Sequence, residues 1–159
     1  GRSGRDGLGM EVYRLFDTMN PKKLDIEIAN HESQLETAMQ AVEGFLGECG
    51  IQQDVAFRVI LAVEELVTNS MKYGYDDDNP HTISISVCIQ DTVPEEIVLL
   101  VQDDGHPFDP QDAPTPDLES APEDRQIGGL GLHLVKQMSQ GLEYERMEPY
   151  NRVRVTFRT

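Results

Sequence analysis

Between Leu24 and Ala29 apolar and charged residues alternate, the period-two pattern of a half-buried strand, and Asn30 then stands where it can cap a helix running to about Cys49. A second helical pattern spans roughly Gln53 to Tyr73. At about 100° per residue it gathers Val59, Val63, Leu66, Val67 and Ser70 on one face, with Glu65 and Asn69 together along one edge and Glu64 turned to water. Further strands are predicted at Thr82 to Cys88, Ile97 to Gln102, Leu142 to Met147 and Arg152 to Phe157, with a third helix running from a glycine cluster towards Gly141. This order predicts an α/β, two-layer domain in which helices cover one face of a mixed sheet. Residues 1–9 are glycine-rich without periodicity and read as a flexible tail, while Met10 to Phe16 carries enough apolar surface for an edge strand or a docking segment.

Three segments carry candidate chemistry. In the first, Glu65 lies at the border of the apolar face, where partial desolvation suits a base, and Asn69 one turn later offers an amide oxygen, a hard ligand suited to Mg²⁺. Taken alone, a Glu and an Asn at this spacing mark a solvated helix edge as readily as a site. In the second, the run Val101-Gln102-Asp103-Asp104-Gly105-His106-Pro107-Phe108-Asp109-Pro110 ends an apolar strand in an acidic turn. Asp103 there can accept a hydrogen bond from an exocyclic amine such as that of adenine, and Gly105 allows backbone to approach a flat ring, although an ordinary Asp-Gly turn would read the same. The third, Ile127-Gly128-Gly129-Leu130-Gly131-Leu132-His133-Leu134-Val135-Lys136, sets glycines at a helix start, where backbone N–H groups and the helix dipole attract anions. It is not a Walker loop, since no Gly-Lys-Ser/Thr follows.

In this order and at these separations, the three segments resemble the N, G1 and G2 boxes of the GHKL ATPase superfamily, and most closely those of bacterial anti-sigma factor serine/threonine kinases. The resemblance implies the Bergerat fold, an α+β two-layer sandwich with a mostly antiparallel sheet, over residues 24–159, with 1–23 as a tail or edge segment. It also implies ATP and Mg²⁺ as cofactors, Glu65 as general base, Asn69 as Mg²⁺ ligand, Asp103 as the adenine-reading aspartate and Gly105 as its companion. Gly129 and Gly131 correspond to the phosphate-binding glycines, and Phe108, Gly128, Leu130, Leu132 and Arg125 join the implied nucleotide pocket. The stretch 109–127, rich in proline and acidic residues, corresponds to a lid over ATP. Two departures stand out. Gly128 occupies the place before Gly129 where many relatives carry an arginine, leaving Arg125 as the nearest one, and the closing segment reads Pro149-Tyr150-Asn151-Arg152 in place of a Gly-Thr pair.

Composition narrows the function classes. In 159 residues, 13 Lys and Arg face 29 Asp and Glu, a formal net charge of -16 that opposes nonspecific attraction to nucleic acid or anionic membrane. No apolar run is long enough to span a bilayer, which predicts a soluble, cytoplasmic protein. Cys49 and Cys88 have no zinc-spaced companions, and the run Asp76-Asp77-Asp78-Asn79-Pro80 reads as a turn rather than a metal site.

The expected activity is phosphoryl transfer from Mg²⁺-ATP to a serine or threonine of a partner. By the resemblance, that partner is a STAS-domain antagonist, a sigma factor is the alternative bound protein, and homodimers are common. Two other readings stay open: an ATP-gated module that sequesters a regulator without phosphorylating it, and the ATPase module of a sensor histidine kinase. The latter needs a phosphoacceptor helix, for which the residues ahead of Leu24 leave no room.

Overall fold

The computed structural model describes residues 22–112 and 129–159. The predicted tail, Met10 to Phe16, most of the lid, Arg125 and Gly128 lie outside them. The described elements are β1 (Lys22–Ala29), α1 (Glu32–Glu48), α2 (Gln53–Tyr73), β2 (Thr82–Gln90), β3 (Glu96–Asp103), a 3-10 turn at Pro110–Asp112, α3 (Gly129–Met138), β4 (Gly141–Met147) and β5 (Tyr150–Arg158). No described helix is long and apolar enough to cross a membrane.

Among the described residues the sheet has the order β1-β2-β3-β5-β4, and all four of its pairings are antiparallel. The expectation of a mixed sheet is corrected in this respect. Two helices separate β1 from β2, so the chain returns antiparallel. The single-helix crossover through α3 leaves β3 and β4 pointing the same way, but β5 lies between them. Alternation within the strands sorts the two faces. Ile83, Ile85, Val87 and Ile89 of β2 are buried against the helices, as are Val153, Val155 and Phe157 of β5, while Ser84, Ser86, Arg152 and Arg154 belong to the opposite face. Val59, Val63 and Val67 of α2 are fully covered, as are Val42 and Leu46 of α1. Each such side chain contributes about 1.5–3 kcal/mol by leaving water.

Asn30 does not cap α1. His31 occupies the N-cap position with extended backbone and no side-chain bond, whereas Asn30 exchanges hydrogen bonds with His81: its N–H donates to the His81 carbonyl (3.2 Å) and its Oδ1 accepts from the His81 N–H (3.4 Å). The ladder that pairs Ala29 with Thr82 thus runs one residue further and takes the side chain the helix would have used.

Candidate functional site

The site is laid out along α2. Its phase buries Val63, Leu66, Val67 and Ser70, leaves Glu64 exposed, and holds Glu65 at the border between core and solvent. Desolvation, with a smaller push from the neighbouring Glu64 charge, raises the Glu65 carboxyl above the ordinary glutamate range. One turn on, Asn69 is buried. Glu65 Oε2 and Asn69 Nδ2 both lie out of solvent without a hydrogen-bond partner among the described residues. Two such orphans one turn apart on one helix edge are costly unless something else satisfies them.

α3 crosses directly over Glu65. A Cβ at Gly131 would run into the Glu65 carboxylate, so a larger residue there would push that carboxylate aside. Gly129, Leu130, Gly131 and Leu132 form the first described turn of α3. The Leu132 side chain is buried in the core beside Val135, so anything it offers a ligand comes from its backbone. Further down, Arg58 Nη1 donates to the Met138 carbonyl (3.3 Å). Gly131 on Glu65 and Met138 on Arg58 are each seven residues apart, so two ties hold the antiparallel helices together two turns apart.

The far end of α2 meets Asp103 at the last position of β3. This carboxylate is buried and accepts three hydrogen bonds: Ser70 Oγ on Oδ2 (2.8 Å), and the Gly105 N–H and Asn151 Nδ2 on Oδ1 (both 2.9 Å). Since Ser70 follows Asn69, Asp103 is tied to the residue beside the orphaned amide. The turn beyond it is equally fixed. His106 N–H donates to the Gly74 carbonyl (2.9 Å), and Arg146 Nη1 donates to the Gly105 carbonyl (2.8 Å). Gly105 is required here for a reason other than the one expected from sequence: the space a Cβ would fill is taken by the backbone of Gly74 at the end of α2, not left open for a ring. Phe108 packs its ring against Tyr73, centroids 5.1 Å apart, and its N–H donates to Asn151 Oδ1 (3.3 Å).

A neighbouring cluster braces the acidic turn. His81 stacks on Tyr75 and contacts Asp77 through Nε2 (2.7 Å) and Asp104 through Nδ1 (3.2 Å). The bond to Asp77, aided by Asp104, raises the His81 pKa against a smaller desolvation effect. Asp77 also accepts the Asn79 N–H (2.9 Å), so the aspartate run is a turn.

Ser70 and Asn151 were not singled out from sequence. Both had a signal: each is a polar residue in a buried phase, Ser70 in line with Val63 and Val67, and Asn151 in line with Val153, Val155 and Phe157.

The arrangement fits a Mg²⁺-nucleotide. No group of three or more His, Cys, Asp or Glu suited to a metal occurs among the described residues. A single amide, turned to present its oxygen, is the donor set expected where phosphates and water supply the other ligands of Mg²⁺.

A family model described as "Histidine kinase-like ATPase domain" matches residues 28–157. The chain belongs to this family. The GHKL resemblance of the three segments is confirmed by that match. The chain is 28% identical over 131 residues to the anti-sigma F factor of Clostridium novyi, covering 82% of this chain and 89% of that protein. It is 27% identical over 100 residues to the serine/threonine-protein kinase BtrW of Bordetella bronchiseptica, covering 63% and 68% respectively. Its fold is shared with two solved structures. The SiaB-SiaC complex of Pseudomonas aeruginosa matches at 16% identity and TM-score 0.60, over 99% of this chain and 100% of the matched one. The RsbU and RsbW domains of a Mycobacterium tuberculosis protein match at 15% identity and TM-score 0.59, over 86% of this chain and 32% of that one.

Proposed function

We propose that this protein is a Mg²⁺-ATP-dependent serine/threonine kinase acting on a regulatory partner protein in a bacterial partner-switching system. The observation that carries this reading is the pair of unsatisfied buried polar atoms one helical turn apart, Glu65 Oε2 and Asn69 Nδ2, with Gly131 of the glycine helix set against Glu65. The names of the anti-sigma F factor and of BtrW support it.

On this reading Asp103 accepts the adenine amine, and the backbone of the first turn of α3 takes phosphate oxygens. Asn69 helps hold Mg²⁺, which neutralises phosphate charge when bound. Glu65 accepts the proton of the incoming Ser or Thr hydroxyl as its oxygen bonds to the γ-phosphorus and the bond to the ADP oxygen breaks. A carboxyl held above its ordinary range is better matched to this task near neutral pH. The acceptor proposed is a STAS-domain antagonist, with a sigma factor as the alternative bound protein.

The test is transfer of labelled γ-phosphate to STAS-domain proteins of the source organism by wild type and Glu65→Gln. Transfer by wild type, lowered by about 10²–10⁴ in the variant while ATP binding persists, is expected. Undiminished transfer by Glu65→Gln would remove Glu65 as the base. Tight capture of the same partner by both proteins with no transfer would favour an ATP-gated binding module.

A further inference from the structure

We propose that Asn151 is a positioning residue for base recognition, its buried amide setting the Asp103 carboxylate for an exocyclic amine and tying it to the backbone of Phe108. This rests on the nucleotide reading given above.

Asn151 is the first inward-facing residue of β5, in a register otherwise held by Val153, Val155 and Phe157, and is only 3% exposed. A carboxamide there is costly unless its hydrogen-bonding capacity is used. It is used fully. Nδ2 donates to Asp103 Oδ1 (2.9 Å) and to the His106 carbonyl (2.8 Å), while Oδ1 accepts from the Tyr144 hydroxyl (2.6 Å) and the Phe108 N–H (3.3 Å). The orientation of the amide follows from chemistry, because the Phe108 N–H can only donate and the His106 carbonyl can only accept.

The consequence falls on Asp103. Each carboxylate oxygen offers two acceptor positions. Oδ1 spends both, on the Gly105 N–H and on Asn151, whereas Oδ2 spends one on Ser70 Oγ. One position on Oδ2 is therefore left among the described residues. Asn151 selects which oxygen stays open and prevents the carboxylate from swinging between the two. The same amide fixes the Phe108 N–H and the His106 carbonyl, so the reading group and the start of the segment leading to Asp109 are held by one side chain. A fixed acceptor attracts an amine and repels a carbonyl oxygen in the same place. Asn151 thereby sets selectivity rather than mere affinity.

The test compares Mg²⁺-ATP with Mg²⁺-ITP, which carries an oxygen in place of the adenine amine, by calorimetric titration of wild type, Asn151→Ala and Tyr144→Phe. Wild type is expected to prefer ATP by at least about a hundredfold. Asn151→Ala should cut that ratio roughly tenfold by losing ATP affinity while ITP affinity stays the same. Tyr144→Phe keeps the amide but removes one bond that holds it, and should lower the ratio by about threefold. If Asn151→Ala yields no folded protein, Tyr144→Phe decides alone. A preference for ATP that is unchanged in the folded variants, whether or not both affinities fall together, overturns the role of Asn151 and leaves the nucleotide reading standing. A wild type that binds neither nucleotide overturns both.

Discussion

The two ends of the site differ in how completely the protein satisfies them. At the Asp103 end the carboxylate is held on both oxygens: Ser70, Gly105 and Asn151 bond to it, Arg146 closes the turn, and Tyr144 orients the amide. At the Glu65 end a carboxylate oxygen and an amide nitrogen are buried without partners among the described residues, and Gly131 lies against the carboxylate. The first end is preorganised and adds to stability. The second holds polar groups at a cost in stability, and on the proposed reading a bound nucleotide supplies their partners. Substitutions at the first should harm both folding and binding, and those at the second should harm activity while sparing the fold.

Asp103→Asn should have the largest effect. It keeps an oxygen for the Gly105 N–H and Asn151 but sets an NH₂ group in place of Oδ2, facing an incoming amine and Ser70 Oγ, whose hydroxyl has the Leu66 carbonyl (3.1 Å) to donate to instead. ATP affinity should fall more than about a hundredfold and unfolding stability by about 1 kcal/mol. Calorimetric titration and urea unfolding of the same sample would measure the two losses together. Full stability in this variant would break the contrast between the ends.

Gly131→Ala comes next. The new methyl collides with the Glu65 carboxylate. Displacing Glu65, the base of the proposed reaction, should reduce the proposed phosphate transfer by about 10²-fold. Because the atoms the methyl meets are the far end of the Glu65 side chain, which can swing aside, stability should fall by no more than about 1 kcal/mol. Restored transfer in a Gly131→Ala, Glu65→Asp double variant, whose carboxylate is drawn back by one methylene, would confirm that the clash is responsible.

Much of this organisation is legible in the sequence. Adjacent glutamates receive opposite fates because helix phase alone separates Glu64 from Glu65, and strand alternation places Asp103 at the end of β3. The hidden part is long-range. Asn151 is 48 residues from the carboxylate it holds, Gly131 meets Glu65 across two helices, and Gly105 has its Cβ space taken by the Gly74 backbone. Each depends on which elements lie side by side, and periodicity within one element does not carry that. The cap of α1 was misread for the same reason, since Asn30 is claimed by His81 across the sheet edge.

A smaller effect separates the ends by pH. Folding raises the Glu65 pKa above its reference value of 4.5, so its burden on stability is absent below that value and grows as pH rises through the folded pKa. Glu65→Gln should therefore match wild type in unfolding stability near pH 4 and exceed it near pH 8, as read by urea midpoints across that range. The smallest effect belongs to His81. Its pKa is raised above 6.5 by Asp77 and Asp104, so its contribution is full below that value and fades as pH rises through the folded pKa. His81→Gln should abolish that portion of the pH dependence without altering transfer at a fixed nucleotide occupancy.

The most direct test of a Mg²⁺-nucleotide site completed by its ligand is the thermal unfolding midpoint with and without Mg²⁺-ATP, for wild type beside Asn69→Ala. At about 100 times the Kd, nucleotide should stabilise wild type by about 2.7 kcal/mol. The account predicts a clear rise in wild type that shrinks in Asn69→Ala, whose own midpoint without ligand is no lower. No rise in wild type at millimolar nucleotide, or an equal rise in both proteins, would contradict it.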